Sequence, residues 1–131
     1  MTNAAPTMIS IPVAPGELID KITILQIKAQ RLSDRQKLAN VRRELALLRA
    51  EQEKHIRPDE KLSELGRQLL AVNEAIWDLE NAIRRCEVEQ EFGENFVAVA
   101  RRIYQRNDRR AELKREINQH LGSELLEEKS Y

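Results

Sequence analysis

Two properties of the 131-residue sequence predict an all-α fold: a long stretch of helical periodicity and a near absence of helix-breaking residues. From residue 62 to residue 86, apolar side chains recur at alternating spacings of three and four, and they are Leu62, Leu65, Leu69, Val72, Ile76, Leu79, Ile83 and Cys86. This repeat gathers them into one narrow seam of a helix, which other helices must cover. Only four glycines and four prolines occur, whereas charged residues make up 34% of the chain, as is typical of long helices and coiled coils. We therefore predict a four-helix bundle built on a long antiparallel, coiled-coil-like hairpin with two further packed helices.

The N-terminal residues 1–14 are predicted to form an extended arm, and residues 15–131 a single helical domain. Pro12 and Pro15 disfavour helical backbone in the residues that precede them. Pro15 instead suits the first turn of a helix, where the acidic Glu17 complements the helix dipole. The first helix is therefore expected to begin at Pro15.

The first helix is predicted to end near Leu32 and to carry apolar residues on two faces. One face is an ordinary seam of Leu18, Ile22, Leu25, Ala29 and Leu32. The opposite face places two isoleucines between charges, in the order Asp20, Ile24, Ile27 and Arg31. Because a helix that is apolar on two sides needs cover on both, we expect it to contact a second surface, either another helix or a partner chain.

The second and third helices each follow an aspartate that can cap a helix N-terminus. Asp34 precedes a second helix at about residues 35–55, and Asp59 precedes a third that extends to about residue 90. Both helices have apolar seams, and the link between them is short and contains Pro58. A short link between two such helices predicts that helices two and three form the long antiparallel hairpin.

The fourth helix, at about residues 95–121, has polar residues where its apolar face should be. Asn107, Arg110 and Lys114 all fall within its apolar arc. The third helix carries a second stripe beside its seam, and this stripe consists of Asn73, Trp77, Glu80 and Arg84. If the two helices pack together, Glu80 is expected to face Arg110 or Lys114.

Three interpretations of this polar cluster are open. In the structural one, which we favour, long side chains reach solvent, an asparagine fixes helix register and an Arg–Glu pair bridges two helices. In the second, convergent cations form a site for a carboxylate or a phosphate. The candidate ligand-binding residues for that site are Asp20, Lys21, Asn73, Trp77, Glu80, Asn107, Arg110 and Lys114. The third, nucleic-acid binding, is disfavoured because 22 basic and 22 acidic residues balance and the basic stretch 101–115 has Tyr104 as its only aromatic residue.

Other kinds of site have little support in the sequence. His55 and His120 are far apart and lack companions at ligand spacing, so no metal site is predicted. Cys86 completes an apolar seam, which favours an inert buried thiol over a nucleophile. Neither a phosphate-binding glycine loop nor a nucleophile elbow occurs, so no cofactor and no catalytic residue is predicted. Whether the protein is an enzyme is left open.

The location of the protein is inferred from three features of the sequence. No run of about eighteen apolar residues occurs, so no membrane span is predicted. The first residues lack the pattern of a signal peptide. Cys86 is the only cysteine and cannot form an internal disulfide, as expected in a reducing compartment. We therefore expect a cytoplasmic protein.

Three segments carry a resemblance to a known family. They are residues 16–25 (GELIDKITIL), residues 107–110 (NDRR) and residues 127–131 (EEKSY). Together they resemble a family of small bacterial proteins known only as a domain of unknown function, over nearly the whole chain from about Ile9. The resemblance implies a setting among genes for glycosyltransferases or cell-envelope polysaccharides, and it implies no catalytic residues. It also leads us to expect that the segments in helices one and four meet in space.

Two functions are carried forward from the sequence. The first, which we favour, is a non-catalytic interaction or scaffold protein, linked to envelope polysaccharide synthesis and assembled as a homodimer through helical surfaces. The second is a small-molecule-binding protein or enzyme that holds an anionic sugar or carboxylate between helices one, three and four. The second requires Arg110 and Lys114 to face one concave pocket, with Asp20 or Lys21 within reach.

Overall fold

The computed structural model describes residues 7–130 and contains four helices. These are α1 (Pro15–Arg31), α2 (Arg35–His55), α3 (Glu60–Val88) and α4 (Glu94–His120). No strand occurs within the described range, which confirms the all-α prediction. None of the helices in that range has the length and apolar character needed to cross a membrane.

The helix ends follow from the capping residues. The Asp34 carboxylate accepts a hydrogen bond from the backbone N–H of Lys37 at 2.9 Å, and the Asp59 carboxylate accepts one from that of Leu62 at 2.7 Å. Both aspartates therefore satisfy N–H groups that a helix start leaves without partners. Of the predicted N-terminal arm, residues 1–6 lie outside the described residues, and residues 7–14 form neither helix nor strand.

The long antiparallel hairpin is present, but α3 and α4 form it. Along this hairpin Gln68 contacts Arg109, and Cys86 contacts Asn95. The prediction that helices two and three pair was wrong, because within the described structure α2 packs only against α1. The two apolar faces of α1 explain the difference, since α1 lies between α2 and the α3–α4 hairpin and contacts all three helices.

Two apolar clusters hold this arrangement together. On one side of α1, Ile22 and Leu25 pack against Val41 and Leu45 of α2. On the other side, the core consists of Ile19, Ile56, Leu62, Leu65, Leu69, Val72, Leu113 and Ile117. The second face of the first helix is therefore covered by helices of the same chain, and Ile27 on that face is only 2% exposed.

The chain reverses direction after α4. Gly122 adopts a positive φ of 66°, a left-handed conformation that glycine enters without steric cost. We call residues 123–130 the C-terminal segment. It returns alongside α4, where Glu128 pairs with Arg115 at 3.1 Å and Lys129 lies 3.5 Å from Asp108. These contacts are ion pairs at the surface, and the segment has no regular secondary structure.

Candidate functional site

A buried carboxylate lies where α1, α3 and α4 meet. The Asp20 side chain is 0% exposed. Arg110 donates from Nε to one Asp20 oxygen at 2.9 Å and from a terminal nitrogen to the other. The Nδ2 of Asn73 donates to Asp20 Oδ1 at 2.9 Å and to the Thr23 hydroxyl at 2.8 Å. The junction thus joins three helices through one carboxylate.

The junction satisfies the hydrogen-bonding needs of its members. Thr23 donates its hydroxyl proton to the backbone carbonyl of Asp20 at 2.7 Å. The hydrogen bond to Asp20 raises the pKa of the Arg110 guanidinium above its ordinary value, because the bond is stronger with the charged form. A two-point pair of this kind fixes the direction of both side chains as well as their charge. The pair with Asp20 therefore fixes the orientation of the Arg110 guanidinium.

Lys114 lies one helical turn beyond Arg110 and has different partners. Its Nζ lies 2.7 Å from Glu17 of α1 and 2.9 Å from Glu127 of the C-terminal segment. Burial lowers the pKa of Lys114, but the bonds to Glu127 and Glu17 outweigh that effect and raise it overall. The Lys114 side chain is 9% exposed, whereas the side chains of Glu17 and Glu127 are 41% and 54% exposed. Lys114 is therefore an enclosed cation whose anions lie at the surface.

Close contact between α1 and α4 brings these groups together. The backbone N–H of Gly16 donates to the side-chain oxygen of Asn118 at 2.7 Å. A Cβ at residue 16 would lie 2.5 Å from the carbonyl oxygen of Lys114, which is backbone and cannot move aside cheaply. Only glycine fits there. The expectation that the resembling segments of helices one and four meet is confirmed by the pair of Asp20, in residues 16–25, with Arg110, in residues 107–110.

An open groove runs between α4 and the C-terminal segment, with Glu17 at one side. Its volume is about 940 Å³. The polar side chains that line it are Glu17, Tyr104, Asn107, Asp108, Arg110, Lys114, Glu127, Glu128, Lys129 and Ser130. The Asn107 amide donates to the carbonyl of Ile103 at 3.2 Å, and Tyr104 is 53% exposed. The groove therefore offers charges of both signs, hydroxyl groups and one exposed aromatic ring.

The structure brings together some of the candidate residues that the sequence singled out. Asp20, Asn73 and Arg110 form the junction, while Asn107, Arg110 and Lys114 line the groove. The remaining three candidates, Lys21, Trp77 and Glu80, belong to neither set. Lys21 is exposed, Trp77 is half-buried on α3, and Glu80 pairs with Arg84 of its own helix at 3.7 Å.

The carboxylates that pair with the α4 cations differ from the expected Glu80. They are Asp20 for Arg110, and Glu17 with Glu127 for Lys114. The contribution of the C-terminal segment to the groove was not visible in any periodic pattern. Its only signal was the resemblance at residues 127–131, of which Tyr131 lies outside the described residues.

The other reactive side chains lie away from the groove. Cys86 is 3% exposed and its sulfur accepts a hydrogen bond from Asn95 at 3.6 Å, which agrees with the predicted buried thiol. His120 lies 2.9 Å from the Asp59 carboxylate. No group of three potential metal ligands occurs among residues 7–130.

Comparison with known proteins places the chain in a family. The chain belongs to a family of unknown function, DUF6165, which it matches over residues 9–131. No curated protein and no solved structure matches it. The resemblance expected from the three segments is thereby confirmed as membership of a family of unknown function.

Proposed function

We propose that the protein binds a small anionic molecule in the groove between α4 and the C-terminal segment. One observation supports this most directly: the Glu127 carboxylate, carried by an irregular surface segment, lies 2.9 Å from the enclosed ammonium of Lys114. A ligand carboxylate could take the place of the Glu127 carboxylate with the same hydrogen-bond chemistry. The C-terminal segment then acts as an internal counter-ion that the ligand replaces.

Arg110 supplies the second anchoring group. A guanidinium carries five N–H donors, and Asp20 accepts two of them. The side chain is 29% exposed and faces the groove. Because Asp20 fixes its orientation, its other donors are directed without further loss of side-chain freedom when a ligand binds. That Arg110 and Lys114 line the same groove supports the proposed anion site.

The ligand class that fits best is an acidic sugar. Tyr104 offers an aromatic face on which an apolar sugar face can pack. Asn107 and Asp108 add an amide and a carboxylate, which hydrogen-bond hydroxyl groups. The carboxylate of such a sugar would pair with Lys114.

The experiment measures glucuronate binding by titration calorimetry, with glucose as the neutral probe. We expect saturable binding of glucuronate, an affinity lower by about tenfold to a hundredfold in Lys114→Met, and a higher affinity in Glu127→Gln. Lys21→Met is the matched control, because Lys21 is an exposed lysine outside the groove. Absence of glucuronate binding by both wild type and Glu127→Gln contradicts the proposal. So does an equal loss in Lys21→Met and Lys114→Met.

The biological setting is also a proposal. From the resemblance we infer a bacterial protein that works beside envelope polysaccharide synthesis, for which an acidic sugar is a suitable ligand. We infer a cytoplasmic location, because the single cysteine cannot form an internal disulfide, as expected in a reducing compartment.

A second candidate function is that of a non-catalytic scaffold that assembles as a homodimer. It is favoured by apolar side chains at the end of the α3–α4 hairpin, where Val88 is 84% and Phe92 is 54% exposed. Light scattering at micromolar concentration tests this candidate, because a mass of one chain contradicts it.

A further inference from the structure

The turn between α3 and α4 is strongly acidic and partly apolar. We call residues 87–94 the hairpin tip. It contains four glutamates, Glu87, Glu89, Glu91 and Glu94, and no basic residue, so its formal charge is −4. None of these carboxylates forms an ion pair within the described part of the chain. The exposed rings and methyl groups of Phe92 and Val88 lie among them.

The hairpin tip projects beyond the rest of the bundle. The last turn of α1 reaches α3 at Asp78, where Arg31 forms an ion pair. The part of α3 after Asp78 continues to Val88, and at 1.5 Å per residue this is an overhang of roughly 15 Å. The overhanging end of the hairpin is thus accessible to another molecule.

The outer face of α2 has the opposite character. Residues 35–49 carry five basic side chains and one acidic one, a formal charge of +4, and the five are Arg35, Lys37, Arg42, Arg43 and Arg49. All five are exposed, and none forms an ion pair among residues 7–130. Among residues 7–130, α2 packs only against α1, so these residues leave its other side uncovered, and Leu47 there is 44% exposed. We call residues 35–49 the basic face.

We propose that two copies of the chain form a two-fold dimer in which the hairpin tip of each copy docks on the basic face of the other. The hairpin tip carries a formal charge of −4 and the basic face one of +4, so the two surfaces are electrostatically complementary. In the docked arrangement Val88 and Phe92 contact Leu47. Within one chain this contact cannot form, because α1 lies between α2 and the hairpin. A second copy supplies both complementary surfaces at once, so each contact is made twice, as two-fold symmetry requires. The proposal rests on the homodimer named above and assigns its interface.

The test is the mass in solution at low and high salt, measured by light scattering. We expect twice the chain mass of 15.2 kDa at about 50 mM NaCl and a shift towards 15.2 kDa at about 500 mM, because salt screens exposed charges. The variant Arg42→Glu/Arg43→Glu lowers the formal charge of the basic face from +4 to 0, and Glu89→Lys/Glu91→Lys brings that of the hairpin tip from −4 to 0. In either variant, neither contact of the dimer retains the match between equal and opposite charges. Each variant is expected to be monomeric alone. An equimolar mixture of the two is expected to dimerise, because one contact again pairs the unchanged tip of charge −4 with the unchanged face of charge +4, while the other places the introduced lysines against the introduced glutamates.

The controls separate the interface from other causes. Arg57→Glu/Lys61→Glu reverses two exposed cations, one in the link between α2 and α3 and one in the first turn of α3, and is expected to remain dimeric. Circular dichroism verifies that each variant is folded, and restored dimerisation in the mixture excludes unfolding as the cause of dissociation. A wild-type mass of 15.2 kDa at both salt concentrations overturns the homodimer and its interface together. A wild-type dimer that neither charge reversal dissociates overturns this interface alone.

Discussion

Arg110 and Lys114 lie one turn apart on α4, and the burial of their anions is what distinguishes them. Arg110 pairs with Asp20, whose side chain is 0% exposed and receives a further bond from Asn73. Lys114 pairs with Glu17 and Glu127, both of which reach the surface. Two cations on one helix face therefore belong to two kinds of site, the three-helix junction and the groove.

The comparison indicates which charges can exchange partners. A buried carboxylate has no water to replace a lost cation, so its pair is held together by the fold. A surface carboxylate regains water when its cation is lost, so Glu127 can leave Lys114 at low cost. The junction consequently positions α1, α3 and α4, whereas the groove remains available for a ligand. Separate measurements of stability and binding can test this division.

The largest expected effect comes from removal of Arg110. Arg110→Met leaves the Asp20 carboxylate buried without its cation, and we expect a loss of about 3–5 kcal/mol in the free energy of unfolding. Lys114→Met leaves only surface carboxylates unpaired, and a loss of about 1 kcal/mol or less is expected. Urea denaturation measures both. The division between junction and groove fails if the two losses are equal.

A double-mutant cycle sharpens this result. With Asp20→Asn as background, Arg110→Met no longer strands a buried charge, so its additional cost should fall by more than half. If Arg110→Met costs the same in both backgrounds, its role is packing of the aliphatic part of the side chain and the pair with Asp20 is not the cause.

A smaller effect is expected from two glycine substitutions. Gly16→Ala forces a Cβ against the backbone of Lys114 and should cost about 1–3 kcal/mol, because α1 must move away from α4. The same movement separates Glu17 from Lys114, so glucuronate affinity should change as well.

Gly66→Ala is the matched control, since a Cβ at this helical position meets no atom within 4 Å. It should stabilise the protein by about 0.5–1 kcal/mol. Thermal unfolding distinguishes the two, and a stabilised Gly16→Ala would contradict the tight α1–α4 contact.

The sequence predicted local features better than long-range ones. The caps Asp34 and Asp59 were identified because side-chain oxygens satisfy backbone N–H groups within a few residues. The polar residues in the apolar arc of α4 drew attention to Arg110 and Lys114. Their carboxylate partners could not be identified in the same way, because the Arg110–Asp20 pair spans 90 residues and periodicity specifies faces without specifying neighbours.

The pairing of the helices shows the same limit. The two apolar faces of the first helix predicted, correctly, that two surfaces cover it. They did not indicate that these surfaces are α2 and the α3–α4 hairpin. Since α1 separates α2 from α3, the short link at Pro58 does not produce a hairpin. The groove was harder still to foresee, because residues 123–130 have no periodic pattern and are held beside α4 by ion pairs.

The smallest effect concerns Asp59 and His120, an ion pair in which neither side chain is buried. The bond from the Leu62 N–H and the contact with His120 lower the pKa of Asp59 below 3.8. A carboxyl group whose pKa is lower in the folded than in the unfolded protein stabilises the fold at pH values above its unfolded-state pKa. This stabilisation is lost as the pH falls through the folded-state pKa. Asp59→Asn should therefore lower Tm slightly at about pH 6, and this difference in Tm should diminish as the pH falls below 3.8.

The variant His120→Gln separates the two causes of the stabilisation by Asp59, which are the hydrogen bond from the Leu62 N–H and the contact with His120. It removes the imidazole but leaves the Leu62 N–H bonded to Asp59, and this backbone bond has the larger influence on the pKa. The Asp59→Asn effect at about pH 6 should therefore decrease in the His120→Gln background and still be measurable. If it disappears entirely, the imidazole accounts for the whole effect. The exposed Asp59–His120 pair would then stabilise the protein through its ionic contact alone. It would differ from the buried Asp20–Arg110 pair only in how much it adds to the free energy of unfolding.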